Sequence, residues 1–224
     1  MIVDRVTVIG ATGDEGFGLA QRWAAAGVEV VIGSRNQGRA EEAAERLRSK
    51  VSGARATGME NPDAAAECDV VVVTVPFAGQ ATIYRSIADS IAEDAVVVDG
   101  TAPLAAAVGG RASRTIGVWE GSAAQQAAAI LGDRGRLCAA FHTLAASQLD
   151  RLDQPLEGDV LVCGRSRAAK DVVRTLVEAI PGLRFVDAGP LENARLVEPL
   201  TALLIGINRR YKTTAGIRIT GLPE

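Results

Sequence analysis

The sequence predicts an α/β protein with a Rossmann-like, doubly wound and mainly parallel sheet, followed by a small C-terminal α/β extension. Short runs of β-branched residues alternate along the chain with alanine-rich stretches of helical spacing. This rhythm is typical of right-handed βαβ units. The plainest run, residues 70–75, reads Val-Val-Val-Val-Thr-Val without any polar alternation. Such a run indicates a central parallel strand that is covered on both faces.

Each further run can be assigned in order. The predicted strands cover residues 5–9, 28–32, 54–57, 70–75, 95–98, 136–141, 159–162 and 183–186. The predicted helices cover residues 16–26, 38–50, 61–67 and 191–210. Residues 99–121 are rich in Gly, Ala and Pro and are predicted to form a mobile loop. Parallel sheets bind ligands beyond the carboxyl ends of their strands, so we expect the functional residues directly after these strands.

Composition excludes several classes of function. The 224 residues are 48% hydrophobic and carry a net charge of −3. A packed core is therefore expected, whereas nucleic-acid binding and a basic membrane-binding surface are not. No apolar run approaches the ~20 residues that span a bilayer. The three cysteines form no metal-binding pattern with the single histidine, so we expect no metal site and interpret them as buried thiols in a reducing cytoplasm.

A glycine-rich turn follows the first predicted strand and precedes the first helix. Against the pattern G-x-G-x-x-G, Ala11 takes the first position, Gly13 the second and Gly16 the third, while Gly10 supplies the tight turn one residue early. Gly13 would let a pyrophosphate approach the backbone, and Gly16 would let the helix pack against the strand. The helix N-terminus would then offer free N–H groups to a phosphate, so the turn indicates a dinucleotide site.

The end of the second strand indicates which dinucleotide binds. NAD-binding sheets usually carry an Asp or Glu there, which bonds the ribose 2′-hydroxyl. This chain instead has Ser34, Arg35 and Arg39, with no carboxylate between residues 32 and 39. Arginine suits a phosphate because its planar fork donates two parallel hydrogen bonds and stays charged. The pattern favours NADP, and Thr12 in the adjacent turn could add a hydroxyl to the same phosphate.

The residues do not supply an evident proton donor. Tyr84 and Tyr211 have no lysine four positions on, and the last predicted helix contains no lysine. We therefore predict no catalytic side chain. This is compatible with hydride transfer between two bound rings, where positioning supplies most of the catalysis.

Motifs spread over residues 5–210 resemble the F420-dependent NADP oxidoreductases. The motif near the C-terminus, Asp-Ala-Gly-Pro-Leu followed by Arg-Leu-Val-Glu, is far more specific than the glycine turn. The motifs are residues 10–13, 34–35, 57–59, 68–69, 74–76, 141–143, 162–164, 187–191 and 195–198. The resemblance implies hydride transfer between NADP(H) and coenzyme F420, a 5-deazaflavin.

The resemblance also implies a set of cofactor-binding residues. Those implied for the NADP turn are Thr12, Gly13, Asp14 and Glu15, and those implied for the 2′-phosphate are Ser34, Arg35 and Arg39. The glycine pattern adds Gly10 and Gly16 to the turn. Those implied near the two rings are Pro76, Phe77, Ala81, His142, Leu144 and Ala146.

Two parts of the chain are expected to have different roles. We expect residues 1–150 to form the NADP-binding domain, and residues 151–224 to complete the deazaflavin site and a dimer interface. The predicted last helix is too apolar to face water on all sides, which favours a homodimer. Two other functions fit the same residues, namely an NADPH-dependent flavin or ferric reductase domain and a non-catalytic NADP-sensing module.

Overall fold

A computed structural model describes residues 3–222. Its strands are β1 (Arg5–Ile9), β2 (Glu29–Ser34), β3 (Ala56–Glu60), β4 (Val70–Val73), β5 (Val96–Asp99), β6 (Arg136–Ala139), β7 (Gly158–Gly164) and β8 (Leu183–Asp187). Its α-helices are α1 (Asp14–Ala25), α2 (Gln37–Lys50), α3 (Asn61–Ala66), α4 (Phe77–Ile87), α5 (Ala123–Leu131), α6 (Ala146–Leu149), α7 (Arg167–Glu178), α8 (Ala194–Val197) and α9 (Leu200–Tyr211). No helix within this part of the chain is long and apolar enough to cross a membrane.

The eight strands form one sheet in the order β3-β2-β1-β4-β5-β6-β7-β8. The first six strands run parallel, β7 pairs antiparallel with β6, and β8 again runs parallel to β7. The doubly wound, mainly parallel sheet predicted from the sequence is therefore confirmed. The strand order changes direction between β1 and β4, and such a switch point is where doubly wound sheets bind their ligands.

The core has two layers because the valines of the central strands alternate between the two faces of the sheet. Val70 and Val72 pack into a cluster with Phe17, Leu19 and Trp23 of α1. Val71 and Val73 pack into a second cluster, which Ile83, Tyr84 and Ile87 of α4 complete. Burial on both faces explains why residues 70–73 read as an unbroken apolar run.

Several predicted bounds differ from the observed ones by one to three residues; the predicted strand 70–75, for example, ends at Val73. Two differences have a clear local cause. The predicted strand 136–141 stops at Ala139, and Phe141 has the positive φ of 71° that leaves extended geometry. The predicted helix 191–210 is broken into a 3₁₀ turn, α8 and α9 around Pro199. A proline has no N–H to continue the helical ladder, so the single-helix prediction was wrong.

The segment 99–121 is more regular than the sequence indicated. Leu104 and Thr115 form an antiparallel bridge, and the Ala105 and Ile116 amides donate to the Arg114 and Pro103 carbonyls at 2.8 and 2.9 Å. Gly109, at φ 79°, ends the 3₁₀ turn between the bridge partners. These backbone hydrogen bonds order the segment 99–121, which its composition alone predicted to be a mobile loop.

Candidate dinucleotide-binding site

The carboxyl ends of β1, β2 and β4 surround an open cleft of about 630 Å³. Its lining comes from the turn after β1, the loop after β2, the start of α3 and the start of α4. The lining residues are Ile9, Gly10, Thr12, Gly13, Gly33, Ser34, Arg35, Asn36, Arg39, Asn61, Thr74, Val75, Pro76, Ala78, Gly79, Thr82 and Ile83. A cleft at the switch point is the expected place for a dinucleotide.

The three glycines of the turn have different surroundings. A Cβ at Gly10, whose φ is +99°, would lie 2.5 Å from the Thr74 carbonyl oxygen, and a Cβ at Gly16 would lie 2.4 Å from the Thr74 hydroxyl. Both positions therefore need glycine for close packing inside the protein. A Cβ at Gly13 would meet only the Gly10 carbonyl oxygen, at an ordinary 3.4 Å. The protein itself leaves Gly13 free, and the bare backbone there lines the cleft.

Helix α1 begins without a side-chain cap. Its N-cap residue is Gly13, whereas Asn36, Ser122 and Ser166 each accept a backbone N–H at the start of α2, α5 and α7. The first N–H groups of a helix need a partner, and an anion is a suitable one because the helix dipole is positive at that end. The start of α1 therefore fits a phosphate group.

Two arginines lie on the rim of the cleft beside β2. Arg35 and Arg39 are exposed, and neither side chain has an ion pair within residues 3–222. Ser34, the last residue of β2, is half-buried next to them. Two unpaired guanidinium groups beside a serine hydroxyl fit a phosphate on the adenosine ribose better than they fit a free 2′-hydroxyl.

The structure brings together about half of the residues expected from the sequence. Those that line the cleft are Gly10, Thr12, Gly13, Ser34, Arg35, Arg39 and Pro76. Those outside its lining are Asp14, Glu15, Gly16, Phe77, Ala81, His142, Leu144 and Ala146. Among the second group, Phe77, Ala81, Leu144 and Ala146 are half-buried, so part of each side chain faces outward.

A buried carboxyl lies at the end of β5. Asp99 is fully buried and accepts hydrogen bonds from the Gln80 amide (2.8 Å), the Tyr84 hydroxyl (2.7 Å) and the Thr101 backbone N–H (2.9 Å). Burial outweighs these bonds and raises the pKa of Asp99 to about 6. Burial and the charge of Asp99 also raise the pKa of Glu15, at the start of α1, to about 8.

A second buried carboxyl joins the C-terminal helices to α5. Glu198 accepts the backbone N–H groups of Ala123 and Ala124 at 2.8 and 2.9 Å, and it has no exposed surface. Burial raises the pKa of Glu198 to about 8. Sequence reasoning placed Glu198 only within a family motif and missed Asp99, although an acid that ends a valine strand was a visible signal.

His142 lies just beyond β6 and is 4% exposed. Neither ring nitrogen has a hydrogen-bond partner within the described part of the chain, and burial lowers the pKa of the imidazole to about 4. The Thr201 hydroxyl of α9 donates to the His142 carbonyl oxygen at 2.8 Å. The imidazole is therefore neutral near pH 7, and both of its nitrogens are buried.

The site has no metal centre in residues 3–222, because no group of three His, Cys, Asp or Glu side chains lies close enough to hold an ion. The three cysteines are free and buried.

Fold and cleft together define a Rossmann-type, dinucleotide-binding α/β protein. The profile of a family described as "NADP oxidoreductase coenzyme F420-dependent" matches residues 5–103. An F420-dependent NADP reductase from Methanothermobacter thermautotrophicus is 46% identical over 231 aligned positions, which cover 100% of this chain and 98% of the relative. One from Methanocaldococcus jannaschii is 38% identical, with 97% and 99% covered. The chain belongs to the F420-dependent NADP reductase family.

Solved structures agree on the fold. A crystal structure from Arthrobacter sp. FB24, described as an F420-dependent NADP-reductase, superposes with a TM-score of 0.81 at 23% identity, covering 96% of this chain and 98% of that one. A pyrroline-5-carboxylate reductase from Coxiella burnetii superposes with a TM-score of 0.57 at 14% identity, covering 95% and 86%. At these identities, the likeness concerns the fold.

Proposed function

We propose that this protein transfers a hydride between NADP(H) and the deazaflavin coenzyme F420. The family membership supports the pair of substrates. One observation supports NADP as a substrate. Within residues 3–222, the Arg35 and Arg39 side chains form no ion pair, and they line the same cleft as the exposed backbone of Gly13. In the forward direction, NADPH gives a hydride to the oxidised deazaflavin, one proton is taken up from solution, and NADP⁺ leaves.

The phosphate end of the site binds and orients NADP(H). Gly10, Thr12 and Gly13, together with the uncapped start of α1, receive the pyrophosphate, and Asp14, Glu15 and Gly16 continue that turn. Ser34, Arg35 and Arg39 bind the 2′-phosphate. They also select against NAD(H), because the two guanidinium groups form no charge-assisted hydrogen bond with the 2′-hydroxyl that NAD(H) carries there.

The ring end holds the two flat rings against each other. Half-buried apolar surface at Phe77 and Ala81, directly after Pro76, suits ring stacking and excludes water. Leu144 and Ala146, also half-buried, follow His142 along the chain after β6, and neither ring nitrogen of His142 has a hydrogen-bond partner within residues 3–222. We propose that this second segment completes the ring site. A neutral imidazole orients a ring without donating a proton, and no catalytic side chain is needed.

We further propose that residues 1–150 bind NADP(H), and that residues 151–224 complete the deazaflavin site within a cytoplasmic homodimer. Large apolar side chains on the last two helices are exposed, with Leu196 at 63% and Leu203 at 55%. Exposed large apolar side chains on neighbouring helices support the proposal of a protein partner. A second copy would cover it.

The test is turnover with purified protein, NADPH and F420, followed by the loss of deazaflavin absorbance. We expect bleaching with F420 and NADPH, and little with NADH. Turnover with FMN in place of F420 would contradict the proposal in favour of a flavin reductase. NADPH binding without any turnover would favour a nucleotide sensor.

A further inference from the structure

Asn61 is a buried residue of the cleft, and its side-chain oxygen has no hydrogen-bond partner in the described part of the chain. It is the first residue of α3, directly after β3, and it is 3% exposed. Its side-chain oxygen Oδ1 has no hydrogen-bond partner within residues 3–222, yet the residue lines the cleft. A buried acceptor without a partner opposes folding, so such an atom calls for an explanation.

The other three asparagines provide the comparison. Asn36 Oδ1 accepts the Arg39 N–H at 3.0 Å, Asn193 Nδ2 donates to the Ala188 carbonyl oxygen at 2.7 Å, and Asn208 Oδ1 accepts the Ala215 N–H at 2.7 Å. Each of these amides stabilises a turn or a helix end. In the described chain, Asn61 Oδ1 accepts no hydrogen bond of this kind.

The position of the oxygen indicates what it meets. A Cβ on Gly33 would lie 3.1 Å from Asn61 Oδ1, so the oxygen lies beside the bare backbone of β2. Gly33 immediately precedes Ser34 and Arg35, and it pairs in register with Ile9, which precedes the glycine turn. In dinucleotide-binding sheets this is where the adenosine ribose lies.

We propose that Asn61 Oδ1 accepts a hydrogen bond from the 3′-hydroxyl of the adenosine ribose of NADP(H). This inference rests on the proposed binding of NADP. In that ligand the 2′-oxygen carries the phosphate, so the 3′-hydroxyl is the donor that the ribose keeps at this edge. An amide oxygen accepts from it without placing a negative charge beside the phosphate, as the carboxylate of NAD-binding sheets would. Asn61 is thus a binding residue for the adenosine ribose, and its neutral acceptor is compatible with the neighbouring 2′-phosphate.

The first test replaces Asn61 with leucine, which keeps the size and removes the acceptor. Affinity for NADPH, measured by the change in its fluorescence on binding, should fall about three- to tenfold, the equivalent of one neutral hydrogen bond. Affinity for NADH should fall by a similar factor, while the denaturant midpoint stays the same or rises. The matched control Asn193→Leu should lower the midpoint and leave NADPH affinity unchanged. A lower midpoint with unchanged affinity in Asn61→Leu would overturn the proposal.

The second test changes the ligand, and its main comparison is made on the wild-type protein. The probes are adenosine 2′-phosphate and 3′-deoxyadenosine 2′-phosphate, compared by calorimetry. The wild-type protein should bind the deoxy analogue about three- to tenfold more weakly, and Asn61→Leu should bind both alike. Equal binding of the two probes by the wild type would overturn the proposal. Neither probe involves F420, so a failure of F420 turnover would leave this result interpretable, whereas failure to bind either probe would count against the NADP site itself.

Discussion

The two ends of the carboxyl edge of the sheet differ in the exposure of their polar groups. At β1 and β2 the chain presents an open glycine backbone and two exposed arginines without ion pairs in the described residues. At β5 and β6 it encloses Asp99, His142 and, from α8, Glu198, all at most 4% exposed. The groups at β1 and β2 are exposed and suit an anion from solution, whereas the polar groups at β5 and β6 are buried.

The difference shows in the ionisation of the two sets of groups. Burial raises the pKa of Asp99 to about 6 and of Glu198 to about 8, and lowers the pKa of His142 to about 4. Each shift favours the neutral form, because desolvation penalises charge. At pH 7 His142 and Glu198 are therefore mainly neutral, whereas Asp99, with a pKa of about 6, is still largely ionised. The exposed arginines at the other end attract a phosphate from solution.

The largest effect is expected for Gly13→Val at the phosphate end. The structure leaves room for a side chain at Gly13, but this side chain would occupy the cleft where the pyrophosphate approaches the backbone. NADPH binding should fall below detection while the thermal midpoint is retained. As a contrast, Gly16→Ala should destabilise the protein by about 1–3 kcal/mol, because its new Cβ would clash with Thr74. Retained NADPH affinity in a folded Gly13→Val protein would place the phosphates elsewhere.

Arg35→Ala should have the next largest effect. Loss of a hydrogen-bonded charge weakens NADPH binding by roughly 1.5–3 kcal/mol, and NADH, which lacks the 2′-phosphate, should be little affected. Arg39→Ala should act in the same direction but less. Titration of both dinucleotides checks this, and equal losses for NADPH and NADH would refute the role of Arg35.

The smallest effect on rate is expected for His142→Asn at the ring end. Asparagine keeps a donor and a similar reach, so single-turnover hydride transfer should stay within about tenfold of wild type, or ~1.4 kcal/mol in barrier. General acid–base catalysis contributes typically ~10²–10⁴-fold. A loss beyond ~10²-fold at unchanged cofactor affinity would instead make His142 the catalytic acid.

The same variant should alter the acid stability of the protein. The pKa of His142 is about 4 in the folded state against 6.5 unfolded. The folded form therefore binds the proton less readily, and its stability falls as the pH drops from about 6.5 towards 4. The raised pKa values of Asp99 and Glu198 instead increase stability as the pH falls. The wild type and His142→Asn are therefore compared at each pH by urea unfolding, so that this contribution cancels. Between pH 7 and pH 5, wild type should lose about 2 kcal/mol relative to His142→Asn. Parallel stability curves would contradict a buried, neutral imidazole.

Sequence reasoning performed best where the signal was local. The strand 5–9 was predicted with its observed bounds, and the glycine turn and the arginines after β2 were recognised because βαβ spacing puts them at one sheet edge. It missed helices α4, α5, α6 and α7, and it joined α8 and α9 across Pro199. Helix α7 was visible in the sequence, because its buried residues Ala169, Val172, Val173, Leu176 and Val177 follow helical spacing. The four-residue helix α6 is too short for its spacing to show.

The sequence by itself determined the parallel sheet and the glycine turn after β1, and it predicted a phosphate-binding site at the end of β2. Each depends on residues that are neighbours along the chain. Only the tertiary structure decided that Asp99, Glu198 and His142 are buried, and that Asn61 reaches the backbone of Gly33 with a free oxygen. The physical reason is that desolvation and hydrogen-bond satisfaction depend on every element packed around a group, and those elements are far apart in sequence.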